Sequence, residues 1–429
     1  PATPRAGFPP APQTRDEPTP ARVREATRAL TRSVGVGNLD DEAVATIAAS
    51  GDPRLAWVLA DAMRLVFAGP DSKTLVDGFE QLTGVDPLAR PGSDGSPWQA
   101  AEDHLIAWDL PAPPDYRALK AANLLLVEPG WKPFFEDPGA TIDYRLLGWG
   151  GVRIDERPLG STEECENGCI PALDDPKLVD VAGGSYLDDD RDVFGLVTGG
   201  EAVALPQNVM EIHEMVNLTL GDVRLGIPYC TLCGSAQAYE TRIPEADVVL
   251  RTSGLLTRSN KVMYDLTTSS VFDTFTGEAV SGPLRKAGVT LEQVTVVRST
   301  WGQWKAAHPE TKVIAEDGGI GREYDVDPLR GRDDDGPIFP IGDVDPRLPV
   351  QARVVGVSAG DTVVAFGVED ARKQLEAGRE VRVGDVEVVD DGGGLRVRRA
   401  GKDLPAHESF WFAWAQFHPG TAVWRPAGG

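Results

Sequence analysis

The segment STWGQWKAAHPETKVI at residues 299–314 returns as SFWFAWAQFHPGTAVW at residues 409–424, with seven identical positions in sixteen and no gap. Each copy reads as a short helix carrying Trp at i and i+3 on its buried face, followed by a His-Pro turn into a strand. A second match pairs FGLVTGGEAVAL (194–205) with VGVSAGDTVVAF (355–366), and beyond it LTLGDVRLGI parallels EVRVGDVEVV. Because the order is kept, the chain is expected to contain an internal duplication: hairpin, helix, Gly-Asp hairpin, Trp helix and strand. The first copy spans about 192–315 and the second about 353–425. A chain patterned in this way has to build one unit twice.

Upstream the pattern changes. Apolar residues recur at helical spacing through Val23, Ala26, Leu30 and Val34, then Val44, Ile47 and Ala48, then Leu55, Leu59, Met63 and Val66. Asp at a helix start, a Gly stop and a fresh start at Asp52-Pro53 predict antiparallel helix pairs packed as in solenoid repeats. The expected class is therefore α+β. An N-terminal α-helical, solenoid-like module with a bridge occupies 21–135, and a β-rich domain occupies 140–425. With 47 Gly and 34 Pro in 429 residues, many turns and short strands are expected there.

Charge excludes some partners. The chain holds 66 acidic against 42 basic residues, a net charge of −24, and such a surface repels phosphate backbones, so nucleic acid is not an expected partner. No apolar run reaches the ~18 residues needed for a transmembrane segment. The longest candidate, LAWVLADAMRLVFAG, reads as amphipathic and is interrupted by Asp61 and Arg64. Residues 1–20 are Pro-rich and read as a disordered linker of the kind that follows a removed export signal or a lipid-anchored cysteine. The expected location is extracytoplasmic: secreted, periplasmic or lipid-anchored.

Four cysteines fall in two close pairs, Cys165 with Cys169 and Cys230 with Cys233. The second pair lies in the segment 229–298 that lengthens only the first copy, which makes that segment the place to look for function. In IPYCTLCGS, Cys230 ends an apolar strand and Gly234 lets the chain curl round a sulfur. Such a knuckle suits metal ligation, redox exchange or a static disulfide. His213, in the helix LPQNVMEIHEMVN, is the nearest further ligand, and the second copy has Gln374 in its place. Two thiolates and an imidazole form a soft set for copper or zinc with an open position, to which Met210 would add a thioether. Ser259 belongs to a polar row in SGLLTRSNKVMYD, and His407 has no counterpart in the first copy. Cys165 and Cys169, in STEECENGCIPAL, are expected to close a small structural disulfide in an oxidising compartment; the alternative joins all four thiolates in one metal site. The acidic runs LDDDRD and GRDDDG lack calcium-loop spacing and read as solvated turns.

At IPYCTLCGSAQAY, with HEMVN, GLLTRSNKVMYD, TGEAVSGPL and TWGQWKAAHPETKV, the chain resembles the bacterial and archaeal family called domain of unknown function 3179, over about residues 20–425. The resemblance implies that Cys230, Cys233, His213, Glu214, Asn217 and Asp265 are pattern positions and that the protein is exported. Thr231 stands where the family usually has Pro, and Arg258 and Asn260 replace an Asn and an Asp, which weakens any role borrowed for that turn. The resemblance implies no established activity.

Three functions remain open on these grounds. The first is an extracytoplasmic protein using a copper or zinc ion at Cys230, Cys233 and His213 for redox chemistry or metal handling, with a small molecule or metal ion as partner. The second is metal-free thiol–disulfide exchange by the same cysteines. The third is a non-enzymatic surface binding or scaffold protein with structural disulfides; the sequence identifies no protein partner.

Overall fold

A computed structural model describes residues 7–66, 69–90, 96–331 and 336–426. The chain divides into two compact units. The first comprises Pro1–Glu136 with Ile142–Trp149 and Phe339–Val344; the second comprises Asp137–Thr141, Gly150–Ile338 and Asp345–Gly429.

In the first unit the helices are Ala21–Gly35, Asp41–Ala48, Ala56–Met63, Pro70–Thr83, Pro97–Ala107 and Tyr116–Val127. Their limits follow local chemistry. Asp40 caps the second helix by accepting from the Ala43 N–H at 2.9 Å. Gly84, at φ +75°, ends the fourth in the left-handed conformation. The helix Ala56–Met63 departs from the sequence expectation: it is not amphipathic but buried on every side, Asp61 included. Its charge is matched inside, because Lys120 Nζ donates to Asp61 Oδ1 at 2.5 Å. No helix among the described residues is long and apolar enough to cross a membrane. Part of the stretch expected to be a disordered linker is packed instead. Phe8 is buried, and the Pro9 carbonyl accepts from Trp108 Nε1 at 2.7 Å. An aromatic ring gives even a Pro-rich strand something to bury. Residues 1–6 lie outside the described residues.

The second unit is a set of small sheets in a propeller-like arrangement. One sheet has the order Val297–Thr300, Asp192–Thr198, Glu201–Pro206, Lys312–Ile314 and Leu178–Val179. Another has the order Ala406–Phe410, Arg353–Ala359, Thr362–Gly367 and Ala422–Val423. Their first four strands correspond one to one, antiparallel twice and then parallel. The match extends to side chains. In Trp301–Ala307 and Trp411–Phe417, Trp304 and Trp414 lie over Gly195 and Gly356, where an added Cβ would stand 2.4 and 2.2 Å from the indole. Each indole N–H donates to a threonine, Thr311 or Thr421, at 3.0 Å. His308 and His418 each close the helix end and lie against its Trp, with ring centroids 4.0 Å apart and the planes tilted by 36°.

After the hairpins 192–206 and 353–367 come a helix, Gln207–His213 or Val368–Glu376, and a Gly-Asp hairpin. The hairpins pair Leu220 with Val223 and Val383 with Val386. Two-residue turns of this kind require positive φ, and Gly221 and Gly384 supply +60° and +58°. The stretch 229–298 supplies Leu250–Thr257, Asn260–Asp265, Val271–Asp273 and Ala279–Ser281, four neighbouring strands of one five-stranded sheet. That sheet meets the end of strand Val223–Cys230 at the cysteine turn.

Candidate functional site

Strand Val223–Cys230 is almost wholly apolar and ends in a one-turn 3-10 segment, Thr231–Cys233. Gly234 leaves this turn at φ +58°, a conformation that favours glycine, and a Cβ there would stand 3.0 Å from the Phe410 ring. The turn brings both cysteines under the tip of the hairpin Leu250–Thr257 with Asn260–Asp265. Cys233 Sγ lies 3.3 Å from the Ser259 carbonyl oxygen and Cys230 Sγ 3.8 Å from it. Both are free thiols, and they are 2% and 0% exposed.

A buried ion pair stands beside them. Glu214 follows helix Gln207–His213 in the left-handed region at φ +50°. Its Oε1 accepts from the Thr231 hydroxyl at 3.0 Å, and its Oε2 lies 2.8 Å from Lys261 Nζ. Lys261 also donates to the Glu214 carbonyl at 2.7 Å and to Thr252 Oγ1 at 3.2 Å. The two thiols are consequently unlike. For Cys230, burial and the nearby Glu214 carboxylate push the thiol up, while Cys233, the Lys261 backbone N–H and the Lys261 ammonium pull it down, and the balance is downward. For Cys233, whose thiol donates to the Ser259 carbonyl, burial first and then the adjacent Cys230 and the Glu214 carboxylate raise the thiol well above its ordinary range.

The other expected site residues lie elsewhere. His213 does not join the thiols: its Nδ1 meets the Pro171 carbonyl at 2.7 Å and its Nε2 the Tyr324 hydroxyl at 2.8 Å. Burial lowers its pKa to about 4. With both ring nitrogens engaged and the ring turned toward Tyr324, it is not placed as a third ligand. Tyr324 also lines an open cleft of ≈ 930 Å³ together with Tyr186, Arg191, Asn208 and Arg322, and neither thiol reaches that cleft. Met210 packs in the apolar core with Phe194 and Val216. Asn217 donates to Asp174 Oδ1 at 2.9 Å and to the Leu250 carbonyl at 3.1 Å. Asp265 holds the turn after its own strand, accepting from Val249 N–H and from Thr268 N–H at 2.8 Å each. His407 lies between Gln237 and Gln293, at 3.2 and 3.1 Å, and burial lowers its pKa to about 3. Ser259 is at the thiols through its carbonyl.

Lys261 was not singled out in the sequence reading. Its signal was present, since a lysine inside the run NKVMYD, a strand with no exposed position, has to be paired. Asp155 and Arg251 were likewise missed. Arg251, 0% exposed, forks onto Asp174 at 2.9 and 2.7 Å, and Asp155 is clasped by Arg157 at 2.7 and 3.0 Å.

Cys165 and Cys169 form a disulfide. With Asp155 they are the one group among the described residues that stands together as a candidate metal cluster of three ligand-type side chains. In the disulfide form the sulfurs are bonded to each other rather than available as thiolates, and Asp155 is held by Arg157 and the Ala172 N–H. The bridge closes a short loop whose ends are also tied by hydrogen bonds, Arg153 N–H to the Gly168 carbonyl and Asn167 Nδ2 to the Ile154 carbonyl. Replacing both cysteines by Ser is expected to lower unfolding free energy by about 2 kcal/mol, from loop-closure entropy. Denaturant titration of the double variant against the parent measures it.

A family model described as "Protein of unknown function (DUF3179)" matches residues 167–400. No curated protein and no solved structure matches the chain.

Proposed function

We propose that this chain, which belongs to the DUF3179 family, uses Cys230 and Cys233 as a reversible dithiol–disulfide couple acting on small disulfides in an extracytoplasmic setting. The observation that carries the reading is geometric: two free thiols on one turn, both sulfurs within 3.8 Å of the Ser259 carbonyl oxygen, with the Lys261–Glu214 ion pair beside them. A nucleophilic thiolate and a protonated resolving thiol are what exchange requires.

In the forward direction the Cys230 thiolate attacks one sulfur of a small disulfide, R–S–S–R, and one R–S⁻ leaves. Cys233 gives up its proton to that leaving thiolate and attacks Cys230 Sγ. The second R–S⁻ departs and takes a proton from solvent. The products are the Cys230–Cys233 disulfide and two R–SH, so the substrate disulfide is reduced by two electrons and the protein pair oxidised by two. At 2% and 0% exposure either partner needs an opening beside the Ser259 turn, and a small disulfide needs a narrower one than a folded protein, which is why the substrate is taken to be small. The extracytoplasmic setting is supported by the Cys165–Cys169 disulfide.

Incubation with an excess of a small disulfide such as oxidised glutathione tests the reading. Cys233→Ser is expected to accumulate a mixed disulfide on Cys230, visible by intact mass. Cys230→Ser is expected to form none, and the parent to form the internal bridge and return to thiols with a dithiol reductant. Thiols that react only after unfolding would reject the reading.

A second reading is favoured by the convergence of both sulfurs on one point, the Ser259 carbonyl. It places a soft metal, copper or zinc, on the two thiolates. Without an imidazole at the thiols, it reduces to two protein ligands. Elemental analysis of protein purified without chelator separates it from exchange: about one metal per chain, lost in Cys230→Ser, is its expected result.

A further inference from the structure

The two copies place opposite charges at equivalent positions. Counting from the glycines under the tryptophans, Gly195 and Gly356, the first strand opens with Asp192 in one copy and Arg353 in the other. Counting back from the serines before the Trp helices, Ser299 and Ser409, the partner strand carries Arg298 in one copy and Glu408 in the other. The strand registers are the same, Arg298 opposite Phe194 and Glu408 opposite Val355. Backbone geometry therefore allows the same ion pair in both.

Only the first copy makes it. Arg298 Nη2 donates to Asp192 Oδ2 at 2.5 Å and to Gln207 Oε1 at 2.8 Å. In the second copy the Arg353 guanidinium lies over the Phe410 ring, 5.0 Å from its centroid, and makes no hydrogen bond to Glu408. Glu408 is 5% exposed, and neither of its oxygens has a hydrogen-bond partner among the described residues. Arg372 comes from helix Val368–Glu376 to 3.7 Å from Glu408 Oε1, an ion-pair distance without a hydrogen bond. Three guanidiniums, of Arg298, Arg353 and Arg372, thus act on one carboxylate, and each keeps a buried nitrogen without a partner among the described residues: Arg298 Nη1, Arg353 Nη1 and Arg372 Nε. Ser409 Oγ, beside Glu408, is also buried and unpartnered.

Buried N–H groups of charged side chains are very seldom left unsatisfied, and here three are gathered in one place. The five charged groups, three arginines against Asp192 and Glu408, sum to one net positive charge. Guanidinium edges with free N–H groups and surplus positive charge select an oxygen-bearing anion.

We propose that Arg298, Arg353 and Arg372, gathered around Glu408, form a binding site for a small oxyanion of the phosphate or carboxylate class. The anion takes the unpartnered guanidinium N–H groups. Glu408, where the first copy's pattern has the arginine, competes with the anion through its charge, 3.7 Å from the Arg372 guanidinium, without occupying those N–H groups. The proposal is independent of the cysteine chemistry.

The test is titration of the full chain with inorganic phosphate, sulfate and acetate at constant ionic strength against chloride, followed by calorimetry and by the thermal midpoint. Saturable binding of at least one oxyanion over chloride is expected, weakened about tenfold or more in Arg353→Met and in Arg372→Met. Arg372 is 39% exposed, so its variant leaves the core intact. Glu408→Gln is expected to tighten binding, whereas a carboxylate serving only as an internal salt-bridge partner predicts no gain. No saturable binding by the parent chain, or binding undiminished in either arginine variant, overturns the proposal.

Discussion

Lys261→Met is expected to lower the unfolding free energy of the β-rich unit by about 3–5 kcal/mol and to move ionisation of Cys230 to higher pH. The first effect comes from breaking a buried pair on one side. The lysine side chain is 3% exposed, and its ammonium meets Glu214 Oε2, the Glu214 carbonyl and Thr252 Oγ1. Methionine fills similar volume but leaves the Glu214 carboxylate, 12% exposed, with only the Thr231 hydroxyl as a partner. The second effect has a definite sign. The ammonium favours the thiolate over the thiol at Cys230, so without it a higher pH is needed to remove the proton. Denaturant titration reads the first and thiolate absorbance against pH the second. An unchanged thiol titration with lost stability would confine Lys261 to a structural role and detach it from the chemistry proposed for Cys230.

Trp304→Ala and Trp414→Ala are each expected to cost about 3–5 kcal/mol, and by similar amounts. Both indoles are buried, lie on a glycine and donate to a threonine hydroxyl at 3.0 Å. Truncation opens a cavity under a strand and leaves the threonine short of a donor. The converse change tests the same fit: Gly356→Ala would place a Cβ 2.2 Å from the Trp414 ring, and overpacking of this kind costs about 1–3 kcal/mol or more. Equal losses in the two copies are the expected result by equilibrium unfolding. A large loss in one and less than about 0.5 kcal/mol in the other would mean that the tryptophans do not do the same work.

The recurrence of Trp, His, Pro and Thr at fixed spacing was legible because each of these residues is used locally. The indole covers a strand glycine within its own copy, and the histidine closes the helix that carries the indole. Strand alternation, the Gly-Asp turns, the helical start of the chain and the short Cys165–Cys169 bridge were readable for the same reason: their causes lie within a few residues. The buried helix Ala56–Met63 was read as amphipathic because Asp61 and Arg64 interrupt its apolar run. The lysine that neutralises Asp61 is 59 residues away, beyond any local pattern.

The candidate site divides along the same line. That Cys230 and Cys233 sit together follows from two intervening residues and a glycine in the left-handed region, so the sequence by itself determined the thiol pair. Which groups surround the pair was decided by tertiary structure. Helix Gln207–His213 does run up to the thiols, but a left-handed residue at its end turns Glu214 toward Thr231 and Lys261 while His213 stays with Pro171 and Tyr324. One residue of offset in a backbone turn exchanges a carboxylate for an imidazole. Residue spacing fixes neighbours within a turn or a strand; the direction in which a side chain leaves a turn depends on packing from distant segments, and that is set only when the chain is folded.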